Sequence, residues 1–249
     1  IRDLRLSRGL GDVYKRQLQD FTTGSNTLIS CEMISINVQN HDVVKHKSIS
    51  LLGDAKVSVK LILERINNFH ISIQYETEIN RLKNLWEADV VRVTSKSDKN
   101  SLPSDSEVIG AVNRNVPKDT IVIGAAGSMP GELHKLWQSG DVEGYHMEYG
   151  FSCMGYEIPA AIGVNLAEPD RPNVIFVGDG SYMMMNSELS TAVMMGISTT
   201  IIVTDNRGFG CINRLQKSTG SEPFNNLFKD SHHQKLPNID YVLPVSYTH

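Results

Sequence analysis

Short β-branched or apolar runs alternate with segments of helical period along most of this chain. Val174-Ile175-Phe176-Val177 is an uninterrupted apolar run of strand length, and Thr199–Thr204 is a second, β-branched one. Ile34–Val38 alternates as a strand should, and Thr120–Gly124 is strand-like. Between these runs, Asp54 is a cap ahead of a helix over Asp54–Ile66, with Val57, Leu61 and Ile66 on one stripe. Tyr75, Ile79, Leu82, Leu85 and Trp86 recur at helical spacing, which predicts an amphipathic connecting helix packed against the chain's own domains. Val108–Asn115 reads as helix, and His134 and Trp137 fall on a further one. Between the first two runs, Asn186 is an N-cap, Glu188 lies in the first turn and Gly196 is the C-terminal stop. Strand, helix and strand in this order predict an α/β fold with a parallel sheet joined by right-handed crossovers.

Candidate chemistry gathers where those two strands end. In open parallel sheets, ligands bind at the carboxyl edge of the strands. Asp179 closes the first strand and Asn206 the second, 27 positions later. If the strands are neighbours, a carboxylate and an amide oxygen converge there, a hard oxygen set suited to Mg²⁺. Gly180 and Ser181 expose backbone N–H groups where a phosphate could sit. Gly208 allows a backbone carbonyl to turn inward as a third protein ligand.

Gly178-Asp179-Gly180 followed by Asn206 resembles the signature of thiamine diphosphate-dependent enzymes: GDG, a spacer of twenty-odd residues, then a pair of asparagines. The first of that pair is Asp205 here, which leaves the ligating position intact. Upstream, Tyr149–Gly163 resembles the G-x-M-G-x-x-x-P-A-A-I-G stretch that precedes GDG in the same enzymes. The resemblance implies a thiamine diphosphate-binding α/β fold, with Asp179, Asn206 and the Gly208 carbonyl on Mg²⁺. It further implies Gly178, Gly180 and Ser181 around the diphosphate, Met154 as the prop between the cofactor rings, and backbone near Ser152 and Met154 on the pyrimidine. His146 and Glu148 precede the prop and could face substrate, with a scaffold role at least as apt; no residue is assigned a catalytic role.

His146–Glu157, Gly178–Leu189 and Asp205–Gln216, together with Asp20–Ser25 and Ala125–Trp137, resemble the trihydroxycyclohexane-1,2-dione hydrolase family of myo-inositol catabolism. That likeness runs from about Leu18 to about Val242. It implies ring opening of a cyclic dione by C–C cleavage to 5-deoxy-glucuronate, in the cytoplasm, by a homodimer or larger assembly. An acetohydroxyacid synthase-like carboligase, a 2-oxoacid decarboxylase and a non-catalytic metal–phosphate module remain open alternatives.

Composition adds exclusions more than assignments. The 249 residues carry a net charge of −4, which leaves no electrostatic footprint for nucleic acid, and no apolar run reaches the ~18 residues of a membrane span. Cys31, Cys153 and Cys211 are odd in number and far apart, so they suggest neither a disulfide framework nor a CxxC metal site and fit a reducing compartment. Cys211 lies close after Asn206, where a buried thiol is a better reading than a nucleophile.

The organisation expected is a non-native leader over residues 1–17, the tail of a central α/β domain over 18–66 and a connecting helix with linker over 67–106. The pyrophosphate-binding domain follows over 107–243, incomplete at its end, and a non-native tail over 244–249. The chain is thus expected to be an internal fragment, inactive by itself. Family members need a glutamate from an N-terminal pyrimidine-binding domain of a partner subunit, and no residue here fills that role.

Overall fold

The structure is a computed structural model and describes residues 32–44, 48–96, 100–148 and 151–242. The leader at 1–17, Asp20–Ser25, Cys31, Tyr149, Gly150 and the tail at 244–249 lie outside these ranges. The chain divides into two compact units between Asn84 and Leu85.

In the first unit, β1 (Ile34–Asn37) and β2 (Ile49–Leu52) pair in parallel, with Ile34 opposite Ile49, and the one-turn helix α1 (Asn40–Val43) lies in their connection. Helix α2 (Ala55–Leu63) starts as expected, because the Asp54 carboxylate accepts the Val57 N–H at 2.9 Å and satisfies an otherwise orphan donor. It ends sooner than its apolar stripe suggests. The N–H groups of Arg65 and Ile66 both return to the Ile62 carbonyl, so Ile66 falls beyond the helix. Helix α3 (Ile73–Thr94), which runs from the first unit into the second, is the long helix expected. Its stripe of Tyr75, Ile79, Leu82, Leu85 and Trp86 nevertheless stays 43–59 % exposed; burial begins only at Val90 and Thr94.

In the second unit, helix α4 (Asp105–Asn115) is started by a reciprocal capping box. Ser104 Oγ accepts the Glu107 N–H, while the Glu107 carboxylate accepts the Ser104 N–H at 2.7 Å. Strand β3 (Ile121–Gly124), helix α5 (Met129–Leu136), strand β4 (Tyr145–Met147), helix α6 (Glu157–Ala167) and strand β5 (Asn173–Gly178) follow. Helices α7 (Asp179–Met185) and α8 (Glu188–Met194), strand β6 (Thr200–Thr204) and helix α9 (Gly210–Ser218) complete the order. The four strands form one parallel sheet in the order β4-β3-β5-β6.

Alternation along β3 and β5 divides the core in two. Val122, Val174 and Phe176 meet Val90, Ile109, Met129, Leu133 and Leu136, whereas Ile121, Ile123, Ile175 and Val177 meet Ile158, Ala160, Ala161 and Tyr182. Helices therefore cover both faces of the central strands, which is why those strands are continuous apolar runs rather than alternating ones. Each such side chain contributes about 1.5–3 kcal/mol by leaving water.

One local expectation is overturned. The crossover after β5 is two helices, not one helix capped by Asn186. The first begins at Asp179 directly from the strand, with Gly178 in extended backbone at its N-cap, and Asn186 sits at its C-terminal end with φ −63° and ψ −18°. The three successive methionines after Tyr182 are good helix formers and carry the turn begun at Asp179 onward. Gly196, at φ +66°, does close the second helix as expected.

Candidate functional site

Strands β5 and β6 are hydrogen-bonded neighbours, with Gly178 opposite Thr204. Their carboxyl ends therefore deliver Asp179 and the loop 205–209 to the same edge of the sheet. The side chain of Asp179 points into that loop: Oδ2 accepts the Gly208 N–H at 2.8 Å and Oδ1 accepts the Asn206 N–H at 3.4 Å. The residue is buried, and burial pushes its carboxyl above the ordinary carboxylate range. The two backbone donors pull the other way, and the charge of Asp205 adds to the rise. Among the described residues no Lys or Arg pairs with it. A desolvated carboxylate of this kind gains most from a cation, whose charge reverses the effect of burial.

Asn206 meets Asp179 through its backbone. Its side-chain oxygen accepts the Gly210 N–H at 3.1 Å, at the first residue of α9, and retains a second lone pair. Gly208 has φ +137°, and a Cβ there would lie 2.4 Å from the Asn226 carbonyl oxygen, so only glycine suits this crossing. Arg207 O accepts from Phe228 and the Phe209 N–H donates to Asn226 O, which leaves Gly208 turned toward Asp179. Among the described residues no donor reaches the Gly208 carbonyl. One carboxylate, one amide and one carbonyl at this edge are hard oxygen donors, the chemistry that fits Mg²⁺. This set differs from a cluster of three His, Cys, Asp or Glu side chains, of which the described residues hold none.

The turn expected to hold phosphate is the start of α7, where the N–H groups of Gly180 and Ser181 fall in the first turn and have no partner one turn back. A Cβ on Gly180 would sit 2.6 Å from the Phe209 ring and 3.5 Å from Met154 Cε. Met154, half-buried, therefore borders the GDG turn together with Phe209. Ser152 lies beside this segment in left-handed backbone, φ +51°, and its hydroxyl donates to the Ala125 carbonyl at 3.2 Å. Ser181 differs from the simple picture of an exposed turn residue. It is 4 % exposed, and its hydroxyl donates to the Glu157 carboxylate at 2.8 Å.

His146 and Glu148 occupy the end of β4 and its exit. The imidazole Nε2 and the Tyr156 hydroxyl are 2.7 Å apart, and the two rings stack at 5.9 Å. Burial, assisted by the charge of Glu148, raises the Tyr156 phenol above its ordinary value. Glu148 accepts the N–H groups of Phe151 and Cys153, which gives it a loop-closing role. Cys211 is a free, half-buried thiol on α9, and Cys153 is exposed. Sequence reasoning missed Glu157 and Phe209 as parts of this site. A lone charge inside the apolar stretch Met154–Ile162 was the signal for the former.

Residues 125–245 match the family described as thiamine pyrophosphate enzyme, C-terminal TPP binding domain. The chain is 37 % identical to the 3D-(3,5/4)-trihydroxycyclohexane-1,2-dione hydrolase of Clostridium tetani (strain Massachusetts / E88), over 90 % of this chain and 40 % of the relative. It is 38 % identical to the protein of the same name from Geobacillus thermodenitrificans (strain NG80-2), over 82 % of this chain and 35 % of the relative. The chain thus spans well under half the length of these relatives. Among solved structures it is similar to a thiamine diphosphate-dependent 4-hydroxybenzoylformate decarboxylase of Rhodococcus jostii RHA1, with a TM-score of 0.52 and 22 % identity. That likeness covers 62 % of this chain and 28 % of the other and bears on fold alone. The parallel sheet and the matched segment agree: residues 125–245 are similar to the C-terminal TPP binding domain of the thiamine pyrophosphate enzymes.

Proposed function

We propose that this chain is the diphosphate-binding part of a thiamine diphosphate- and Mg²⁺-dependent hydrolase that opens the ring of trihydroxycyclohexane-1,2-dione by C–C cleavage to 5-deoxy-glucuronate. The observation that carries the reading is the approach of Asp179, at the tip of β5, to the backbone of Asn206 and Gly208, at the tip of β6. Asp179, the Asn206 amide oxygen and the Gly208 carbonyl hold the cation in this reading. The N–H groups of Gly180 and Ser181 hold the diphosphate, and Met154 and the backbone near Ser152 hold the rings. Thiamine diphosphate, when bound, supplies the carbanion-stabilising chemistry. The residues of this chain bind and orient it, and Phe209 with Met154 screens the turn from water.

In the same reading, residues 107–243 form the diphosphate-binding domain, 18–66 the end of a central domain and 67–106 the connection. The whole protein acts in the cytoplasm as a homodimer or larger assembly on a small cyclic dione. The similarity to proteins named as that hydrolase supports the substrate, and the oxygen donor set supports Mg²⁺.

Calorimetric titration of the chain with thiamine diphosphate and Mg²⁺ tests the binding half, with Asp179→Ala as the control expected to lose the Mg²⁺-dependent component. Binding that is indifferent to Mg²⁺ and to Asp179 overturns it. The activity half is tested by assaying protein of the relatives' full length against the cyclic dione and against pyruvate. Turnover of pyruvate alone moves the assignment to a carboligase or a decarboxylase.

A further inference from the structure

We propose that Glu157 is a positioning residue that locks the Met154 turn to the first turn of α7, so that the ring prop and the diphosphate turn move as one body. The inference deepens the thiamine diphosphate reading and rests on it. Glu157 is 1 % exposed at the start of α6, a position for a charge only where its oxygens are satisfied. Its Oε2 accepts the Ser181 hydroxyl proton at 2.8 Å, and the Ser181 oxygen in turn accepts the Gly155 N–H at 2.7 Å. Its other oxygen faces the Ala126 N–H at 3.5 Å.

A hydroxyl has one proton to donate, and here it is committed to Glu157. The acceptor side of Ser181 is therefore left for Gly155, next to Met154. Three segments of the ligand edge are joined through this carboxylate: the loop after β3 at Ala126 and the GDG turn at Ser181 directly, and the prop turn at Gly155 through the Ser181 oxygen. Contact reinforces the link, since a Cβ on Gly155 would lie 2.6 Å from Met185 Cγ on α7. Removing the carboxylate leaves a buried hydroxyl proton without an acceptor, and the cheapest repair is to swing Ser181 and release Gly155.

Two probes distinguish positioning from general scaffolding. Mg²⁺ with inorganic pyrophosphate engages the GDG turn alone; Mg²⁺ with thiamine diphosphate engages the turn and the prop together. Glu157→Ala is expected to weaken thiamine diphosphate about tenfold or more. Pyrophosphate should stay within about threefold, since only the Ser181 side chain swings and the main-chain N–H groups of Gly180 and Ser181 keep their place in the first turn of α7. Glu157→Gln keeps an acceptor for Ser181 and is expected to restore most of the lost affinity. Should the alanine variant fail to fold, Glu157→Asp, which shortens the reach of the carboxylate to the Ser181 hydroxyl, must show the same split. Equal losses for both probes, or no loss for either, overturn the proposal. If the unmodified chain binds neither probe, the cofactor reading itself falls and takes this role with it.

Discussion

The Gly208 N–H donates to Asp179 Oδ2 at 2.8 Å, across 29 positions of sequence and two neighbouring strands. With the longer bond from the Asn206 N–H to Oδ1 at 3.4 Å, it joins the GDG turn to the loop after β6. It explains how a carboxylate buried without an ion pair among the described residues is tolerated there. It also makes the loop backbone part of the candidate metal site, so that side chains in the loop act on the site through the main chain as well as directly.

Asn206→Ala is accordingly expected to have two separable effects. Its oxygen caps the Gly210 N–H at the start of α9, and losing a bond of that kind costs about 0.5–2 kcal/mol with no cation present. Losing the amide as a ligand also weakens Mg²⁺-dependent binding of thiamine diphosphate. Thermal unfolding with and without the ligand pair separates the two. The variant should melt lower in both conditions and gain less from ligand than the unmodified chain does.

Gly208→Ala is expected to be the most damaging glycine substitution at this edge. Its φ of +137° is closed to L side chains, and the new Cβ would meet backbone atoms, at 2.4 Å from Asn226 O and 3.0 Å from Leu227 Cα. Backbone cannot rotate out of the way as a side chain can, so the strain of about 1–3 kcal/mol comes with a displaced loop. Gly220→Ala is the control: it has a positive φ, +84°, with nothing within 4 Å of the added atom. Urea unfolding should show the larger loss for Gly208→Ala, and only that variant should also lose ligand stabilisation.

The elements most legible in the sequence were those whose residues decide alone. Val174–Val177 is apolar at every position because β5 is covered on both faces, and Asp54 marks the start of α2 by its own hydrogen bond. Asp179 and Asn206 were legible as strand ends, whereas the adjacency of β5 and β6 was a condition of that reading, which their register meets. Asn186 misled because an asparagine suits a helix start and a helix end alike, and the methionine run before it was already helical. Glu157 escaped notice because its partners, Ala126 and Ser181, come from separate segments that only the tertiary fold brings together. The apolar stripe on α3 was read correctly as helix, but periodicity reports only which positions share a face, not what covers them.

Gly163→Ala is expected to stabilise the protein. Gly163 lies inside α6 at an exposed position, has no heavy atom of another segment within 4 Å of where a Cβ would sit and carries no positive φ. Alanine removes backbone freedom from the unfolded chain without strain in the folded one, a gain of about 0.4–1 kcal/mol. A higher urea midpoint with an unchanged slope checks it. Unchanged ligand binding is also expected, because the added methyl meets no atom of the candidate site.

Tyr182→Phe is expected to remove part of the alkaline loss of stability. Tyr182 is 2 % exposed under the sheet, and burial raises its phenol above the ordinary tyrosine value. The folded chain therefore holds the phenolic proton more tightly than the unfolded chain does. That preference is fully present below the unfolded pKa of about 10 and is lost as pH rises through the higher folded value. Below about pH 10 the difference in stability between the variant and the parent should be constant, set by the hydroxyl's contact with the Tyr241 carbonyl at 3.4 Å. Above it, the parent should fall more steeply than the variant. Tyr241, raised by burial and by the charges of Asp205 and Asp179, leaves a residual slope in both proteins. Urea midpoints measured from neutral pH into the alkaline range check this, and parallel curves throughout would mean that Tyr182 ionises as freely folded as unfolded.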